Sequence, residues 1–187
     1  MRITAIVGSL RRGNTYAMVE AGCHALKDCE TELIHLKDLN IKMCDGCLTC
    51  DSTGICHIKD DMNKMLDKLK NSDGFIIGSP TRWDLLSGEL KVFLDRLNPL
   101  AVPELLKGKY AILFVVGQTK GGTAISIKNA ANSLANFCDS AGINVVKVVK
   151  VEDCLKPNDL ISKYPKKLKE CKSAAEKLYK TLNDNSL

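Results

Sequence analysis

A chain of 187 residues has room for one domain with a proper core and not comfortably for two. Its ordinary apolar and charged fractions exclude disordered and fibrous classes, and no run approaches the ~20 consecutive apolar residues that span a bilayer. The net charge of +5 is modest, and much of the excess lies between Lys163 and Lys180, interleaved with Leu168, Ala174, Ala175, Leu178 and Tyr179, as on a solvated helix rather than a nucleic-acid arm.

Ile3–Val7 is a short apolar run ending in Gly8 and reads as a buried strand. It is too short for a signal peptide and is followed by arginines instead of a cleavage site, so a cytoplasmic protein is expected, with neither membrane nor nucleic acid as a partner. Met18, Val19, Gly22, Cys23 and Leu26 recur at helical spacing, and a weaker strand follows at Glu32–Leu36. After a cysteine-rich stretch at 44–57, Met62, Met65, Leu66 and Leu69 form one helix face, with Asp60 a suitable N-cap. Gly74–Gly78 reads as a third, fully buried strand, and Leu90, Phe93, Leu94 and Leu97 as a helix face. Tyr110–Val116 is the strongest strand signal and is closed by Gly117. A helix through Ala130, Leu134 and Cys138 stops at Gly142; Ile143–Val151 carries Lys147 and Lys150, as an edge strand can; a tail helix closes the chain. Five strands alternating with helices predict an α/β fold: one doubly wound parallel sheet over 1–187, in the order 2-1-3-4-5 with helices on both faces.

The first strand runs into Gly8-Ser9-Leu10-Arg11-Arg12-Gly13-Asn14-Thr15 and then a helix, a place where free backbone N–H groups meet an anion. A triphosphate loop is excluded because Asn14 stands where the lysine must be, and a dinucleotide glycine signature is absent. A loop rich in hydroxyl and amide groups but without lysine suits a terminal monophosphate. The plain alternative is a capped helix after a glycine turn. Two more loops reach the same sheet edge: Ser79-Pro80-Thr81-Arg82-Trp83-Asp84, with the only tryptophan, and Gly117-Gln118-Thr119-Lys120-Gly121-Gly122-Thr123. Trp83 offers an apolar wall to a flat aromatic ligand, Gly121 and Gly122 let backbone approach ring edges, and Lys120 offers positive charge to a reduced flavin. Packing over the next helix is the competing role for Trp83.

Gly8-Ser9-x-Arg11 with Asn14-Thr15, then Ser79-Pro80, then Gly88-Glu89-Leu90-Lys91-x-Phe93-x-Asp95-Arg96, resembles the NADPH-dependent FMN reductase family over the first two thirds of the chain. The resemblance implies that Ser9, Arg11, Asn14 and Thr15 hold the FMN phosphate. Pro80, Thr81, Arg82 and Trp83 would line the isoalloxazine, with Gly117, Gln118, Thr119, Lys120 and Gly121 along its other edge. Relatives often carry tyrosine where Arg82 stands, which leaves Trp83 as the candidate for stacking. A flavodoxin-like fold and a homodimer or homotetramer are also implied.

Nine cysteines, an odd count, argue against a disulfide framework in a reducing compartment. Cys23, Cys29, Cys138, Cys154 and Cys171 are scattered and read as small hydrophobes, whereas Cys44, Cys47, Cys50 and Cys56 form C-x2-C-x2-C-x5-C. Three thiolates within seven residues, with Gly46 at the bend, wrap three corners of a [4Fe–4S] cube, and Cys56 reaches the fourth. A zinc site of three cysteines plus His57, a redox dithiol at Cys47/Cys50 and free surface thiols are the rivals. Within the flavin family the spacing resembles the iron–sulfur flavoproteins.

Three functions follow. The first is an oxidoreductase passing electrons between FMN, a [4Fe–4S] cluster and an external partner such as ferredoxin. The second is a cluster-free NAD(P)H-dependent reductase of flavins, quinones or nitro compounds. The third is a zinc- or thiol-based sensor on a flavodoxin scaffold. No nucleophilic triad or paired carboxylates are evident, so no catalytic residue is assigned, and His24 and His35 read as ordinary surface or core residues.

Overall fold

Alternation along the central strands sorts the helices onto two faces. The protein's structure is a computed structural model that describes residues 1–120 and 125–185. In β5 (Tyr110–Val116), Ala111, Leu113 and Val115 belong to one core cluster and Ile112, Phe114 and Val116 to the other. In β1 (Arg2–Val7), Ile6 faces the first cluster and Ile3, Ala5 and Val7 the second; in β3 (Gly74–Arg82), Phe75 and Ile77 face the first and Ile76 the second.

α1 (Asn14–Cys23) covers the second face with Met18 and Val19. β2 (Glu30–His35) then forms one edge, followed by a single 3-10 turn at Leu36–Asp38. The cysteine-rich segment contains a short helix, α2 (Thr49–Thr53), which periodicity does not announce. α3 (Met62–Lys70) places Met62, Met65, Leu66 and Leu69 in the first cluster. β4 (Leu85–Leu86), α4 (Gly88–Asp95) and α5 (Asn98–Ala101) precede β5. After it come α6 (Ile125–Ser140) on the first face and β6 (Asn144–Val151) at the other edge. α7 (Asp159–Lys163) and α8 (Pro165–Asp184) follow, the latter burying Cys171, Ala174, Ala175, Leu178 and Leu182 on the second face.

The parallel order β2-β1-β3-β5-β6 is the expected one, with ligands favoured where the chain reverses direction across the sheet, at the carboxyl ends of β1 and β3. Two departures stand out. β3 does not end at Gly78 but continues to Arg82 and turns back antiparallel into β4, which makes a sixth strand in place of a simple loop. The turn residues Trp83 and Asp84 both have positive φ, 47° and 63°, the left-handed pair that a tight hairpin requires. β6 also carries a register shift, so that Ala111 pairs Val145 while Ile112 pairs Lys147. Lys147 and Lys150 are exposed on this edge strand, as charged residues protecting an edge should be.

Strand β3 passes close beneath α1. A Cβ at Gly78 would lie 2.5 Å from Val19 Cγ2 and 3.1 Å from Thr15 Cγ2. Gly78→Ala is therefore expected to cost about 1–3 kcal/mol through overpacking and to lower the thermal unfolding midpoint by several degrees. A calorimetric scan of both proteins checks this, and an unchanged midpoint would mean that α1 can move away freely. Among the described residues, no helix is long and apolar enough to cross a membrane.

Candidate functional site

The loop between β1 and α1 is held by backbone acceptors on several sides. Gly8 N donates to Gly78 O at 2.8 Å, and Ser87 Oγ donates to Gly8 O at 2.5 Å. A Cβ at Gly8 would sit 2.7 Å from Leu90 Cβ, so only glycine lets the strand end come this close to α4. Ser87 is also the N-cap of α4, accepting from Leu90 N. One hydroxyl thus joins a helix start to the root of the loop.

His35, the last residue of β2, is buried beneath this loop. Its Nε2 lies 2.5 Å from Ser9 O, and its ring packs against Tyr16, with centroids 5.5 Å apart. Arg12 in turn lies over Tyr16, 5.4 Å from the ring centre. His35 is thus a core residue, as the sequence allowed, and one that supports the loop. Parallel pairing of Val7 with His35 brings it there.

At the start of α1, no side chain caps the first turn and no acidic residue occupies it. The helix therefore turns free N–H groups and the positive end of its dipole toward the loop. Ser9 and Thr15 are buried at this point, and Arg11 is exposed beside them. The Asn14 side chain is engaged elsewhere: its Nδ2 donates to Lys156 O at 2.7 Å, and Leu160 N donates to its Oδ1 at 3.0 Å. Asn14 is thus a strut between α1 and α7, and what it offers an anion is its backbone N–H.

Ser9, Arg11, Asn14 and Thr15 share one cleft with Pro80, Thr81, Arg82, Gly117 and Gln118, so the structure brings parts of all three loops together. Gly117 is needed for that approach, because a Cβ there would meet Thr81 Oγ1 at 2.6 Å. Three expected residues stand apart from this lining. Trp83 is at the hairpin tip with 98% of its surface exposed. Thr119 O accepts from Asp153 N, and Lys120 Nζ lies 3.8 Å from Asp153 Oδ2. Gly121, with Gly122 and Thr123, lies outside the described residues. Cys154, unassigned from sequence, lines the cleft as well. Burial, with Asp159 and Asp153 adding to it, pushes its thiol up to about 11, so it is protonated at neutral pH. The free helix terminus, the buried hydroxyls and the two close glycine approaches suit a phosphate with a flat ring extending from it.

The cysteine loop leaves the carboxyl end of β2, beside the phosphate loop. Its two ends are tied together: Asn40 N donates to Asp61 Oδ2 and Lys42 N to Asp60 Oδ2, both at 2.8 Å. Asp60 does more than start a helix. It accepts from Met62 N at 3.0 Å as expected of a cap, although the helix is entered from Asp61. It also forms a two-pronged ion pair with Arg96, 2.7 and 3.1 Å, with both side chains 1% exposed. Burial works to raise the Asp60 carboxyl. Hydrogen bonds from Arg96, Lys42 N and Met62 N outweigh that and hold it below its ordinary value.

Between these ends, Gly46 has φ +72°, the bend expected there, and Leu48 and Gly54 are left-handed on either side of α2. Cys44 and Cys47 are exposed, whereas Cys50 and Cys56 are buried. Burial raises the Cys50 thiol, with Asp51 adding to it and the Cys56 sulfur close enough to contribute. Asp45 organises the exposed side, accepting from Cys47 N at 3.2 Å and pairing with His57 Nε2 at 2.8 Å. Ligand atoms of Asp45, Cys47 and His57 lie within 4.8 Å of one another. The four thiols of this loop, two exposed and two buried, are of the donor type that a thiolate-bound metal group takes.

Comparison with known proteins accords with this geometry. The NADPH-dependent FMN reductase family profile matches residues 1–153. An iron–sulfur flavoprotein of Methanocaldococcus jannaschii is 37% identical over 125 residues, 65% of each chain; a second from the same organism is 30% identical over 136 residues, 68% of each. Against three of the curated relatives the match spans 65%, 54% and 48% of their length, less than two thirds. A flavodoxin from the domain Archaea has the same fold, with TM-score 0.64 and 21% identity over 98% of this chain and 99% of its own. The chain belongs to the NADPH-dependent FMN reductase family and, within it, to the iron–sulfur flavoprotein branch.

Proposed function

We propose that this protein is an FMN-dependent electron-transfer oxidoreductase that exchanges single electrons with an external partner such as a ferredoxin-like protein through a [4Fe–4S] cluster at Cys44, Cys47, Cys50 and Cys56. NAD(P)H, a hydride donor, is the alternative partner at the FMN. The observation that carries it is the placement of the four-cysteine loop at the carboxyl end of β2, next to the β1–α1 phosphate loop. When bound, FMN supplies two-electron chemistry and the cluster single-electron transfer.

The chain's own residues prepare for both. The α1 N-terminus, with Ser9, Thr15 and Arg11, takes the phosphate. Pro80, Thr81 and Arg82 on one side and Gly117 and Gln118 on the other bracket the ring, and Trp83 is the side chain at the hairpin tip available to cover it. His35 and Ser87 fix the loop carbonyls of Ser9 and Gly8 so that the neighbouring N–H groups keep their aim. Thr119 and Lys120, which follow Gln118 and are tied to Asp153, would border the far edge of the ring.

Anaerobic purification tests it. About one FMN with about four irons and four acid-labile sulfides per chain is expected, as a cubane on four cysteines requires. FMN without metal and rapid NAD(P)H oxidation would instead establish a cluster-free reductase. The approach of Cys47, His57 and Asp45 favours one further reading, a zinc-bound thiol sensor. Zinc without iron or flavin would replace the first proposal with that one.

A further inference from the structure

Arg96 is the largest fully buried side chain of the described residues, 1% exposed, and its position at the end of α4 is far in sequence from what it touches. Its Nη1 donates to Lys42 O at 2.7 Å and Nη2 reaches Ile58 O at 3.4 Å, so it holds both flanks of the cysteine loop. The same two nitrogens grip the Asp60 carboxylate. A guanidinium has five N–H donors, and the fifth, on Nε, is buried without a hydrogen-bond partner. An unpaired buried donor of a charged group is costly unless something completes it. Cys56, buried two residues before Ile58, is the neighbouring sulfur that interacts with the guanidinium. Burial works against the charged guanidinium, but the Asp60 carboxylate and the neighbouring Cys56 sulfur outweigh it and raise its pKa.

We propose that Arg96 is a positioning residue for the metal group, holding both flanks of the cysteine loop and donating its remaining N–H to the sulfur of Cys56. This inference rests on the cluster reading above. The chemistry that calls for such a donor is an anionic thiolate bound to iron. Four thiolates repel one another, and the N–H edge of a guanidinium whose charge is balanced by Asp60 offsets part of that repulsion by hydrogen bonding. A one-electron reduction adds a further negative charge to the cluster. A hydrogen bond to a ligand sulfur favours that reduced form and raises the reduction potential. Asp60 keeps the guanidinium plane in place, and the backbone carbonyls of Lys42 and Ile58 keep Cys56 opposite it.

The test uses the anaerobically isolated, cluster-loaded protein and reads the cluster rather than turnover. Arg96→Gln is expected to shift the cluster midpoint potential to more negative values in a dithionite titration, with FMN content unchanged. Arg96→Lys, which keeps the charge but loses the fork, should recover part of that shift. Equal cluster potentials in the three proteins, or an equal shift in the flavin, would overturn the proposal. If the variants do not fold, wild-type protein carrying guanidino-15N arginine decides the matter. Pulsed electron paramagnetic resonance of the reduced cluster should show a weakly coupled 15N, and its absence would refute the Nε–H to sulfur bond. A wild-type protein that takes up no iron overturns the cluster reading itself and this inference with it, an outcome distinct from a loaded cluster indifferent to Arg96.

Discussion

Replacing Cys47 by alanine is expected to reduce the iron content to near zero while leaving FMN bound. Cys47 is exposed on the loop and contributes nothing to either core cluster, so its removal deletes a metal donor without opening a cavity. A cubane with three protein thiolates has one iron without its cysteine, and the exposed position of that corner leaves it open to solvent. Cys138→Ala is the matching control. Burial pushes that thiol up to about 12, and it lies on the buried face of α6 within the first core cluster, so it is a packing group whose loss should not change iron content. Iron and sulfide analysis after anaerobic isolation distinguishes the two variants. Full iron in Cys47→Ala would overturn the four-cysteine ligand set, whereas loss of iron in Cys138→Ala would show that scattered cysteines take part.

The sheet was legible in sequence wherever one strand carries its own pattern. Tyr110–Val116 alternates between two cores, and the strand is found at those bounds. The helix at Met62–Leu69 shows its four core residues at i, i+3, i+4 and i+7. β4 could not be read this way, since two residues have no period and the turn before it uses Trp83 and Asp84 where asparagine and glycine would announce a hairpin. Site residues divide along the same line. Ser9 and Thr15 sit on a local motif, strand to glycine turn to helix, and are visible from spacing. His35, Asn14 and Arg96 have roles set by partners 26, 142 and 54 residues away. Such roles depend on register and packing, which no local pattern contains. Arg96 appeared in the motif carrying the family resemblance, but only its contacts give it a task.

Asp60→Ala is expected to destabilise the protein by about 3–5 kcal/mol at neutral pH, because it leaves the buried Arg96 guanidinium without its counter-ion. At the size of this chain that corresponds to a fall in thermal midpoint on the order of 10 °C. The loss has three parts at one side chain: the ion pair, the acceptor for Met62 N at the start of α3 and the acceptor for Lys42 N at the root of the cysteine loop. An exposed pair such as Lys107–Glu104 is the contrast, since solvent screens it and its removal should cost at most about 1 kcal/mol. The pH dependence gives the prediction a sign. The folded protein holds the Asp60 carboxyl below its ordinary value, so its contribution is present in full above the unfolded pKa of about 4. It is lost as pH falls through the lower folded pKa. The stability gap between wild type and Asp60→Ala should therefore be constant from neutral pH down to about 4 and narrow below that. Denaturant melts across this range measure it. A gap independent of pH into the acid range would show that capping alone accounts for the effect, and a negligible gap at neutral pH would show that the buried pair does not hold the loop to the fold.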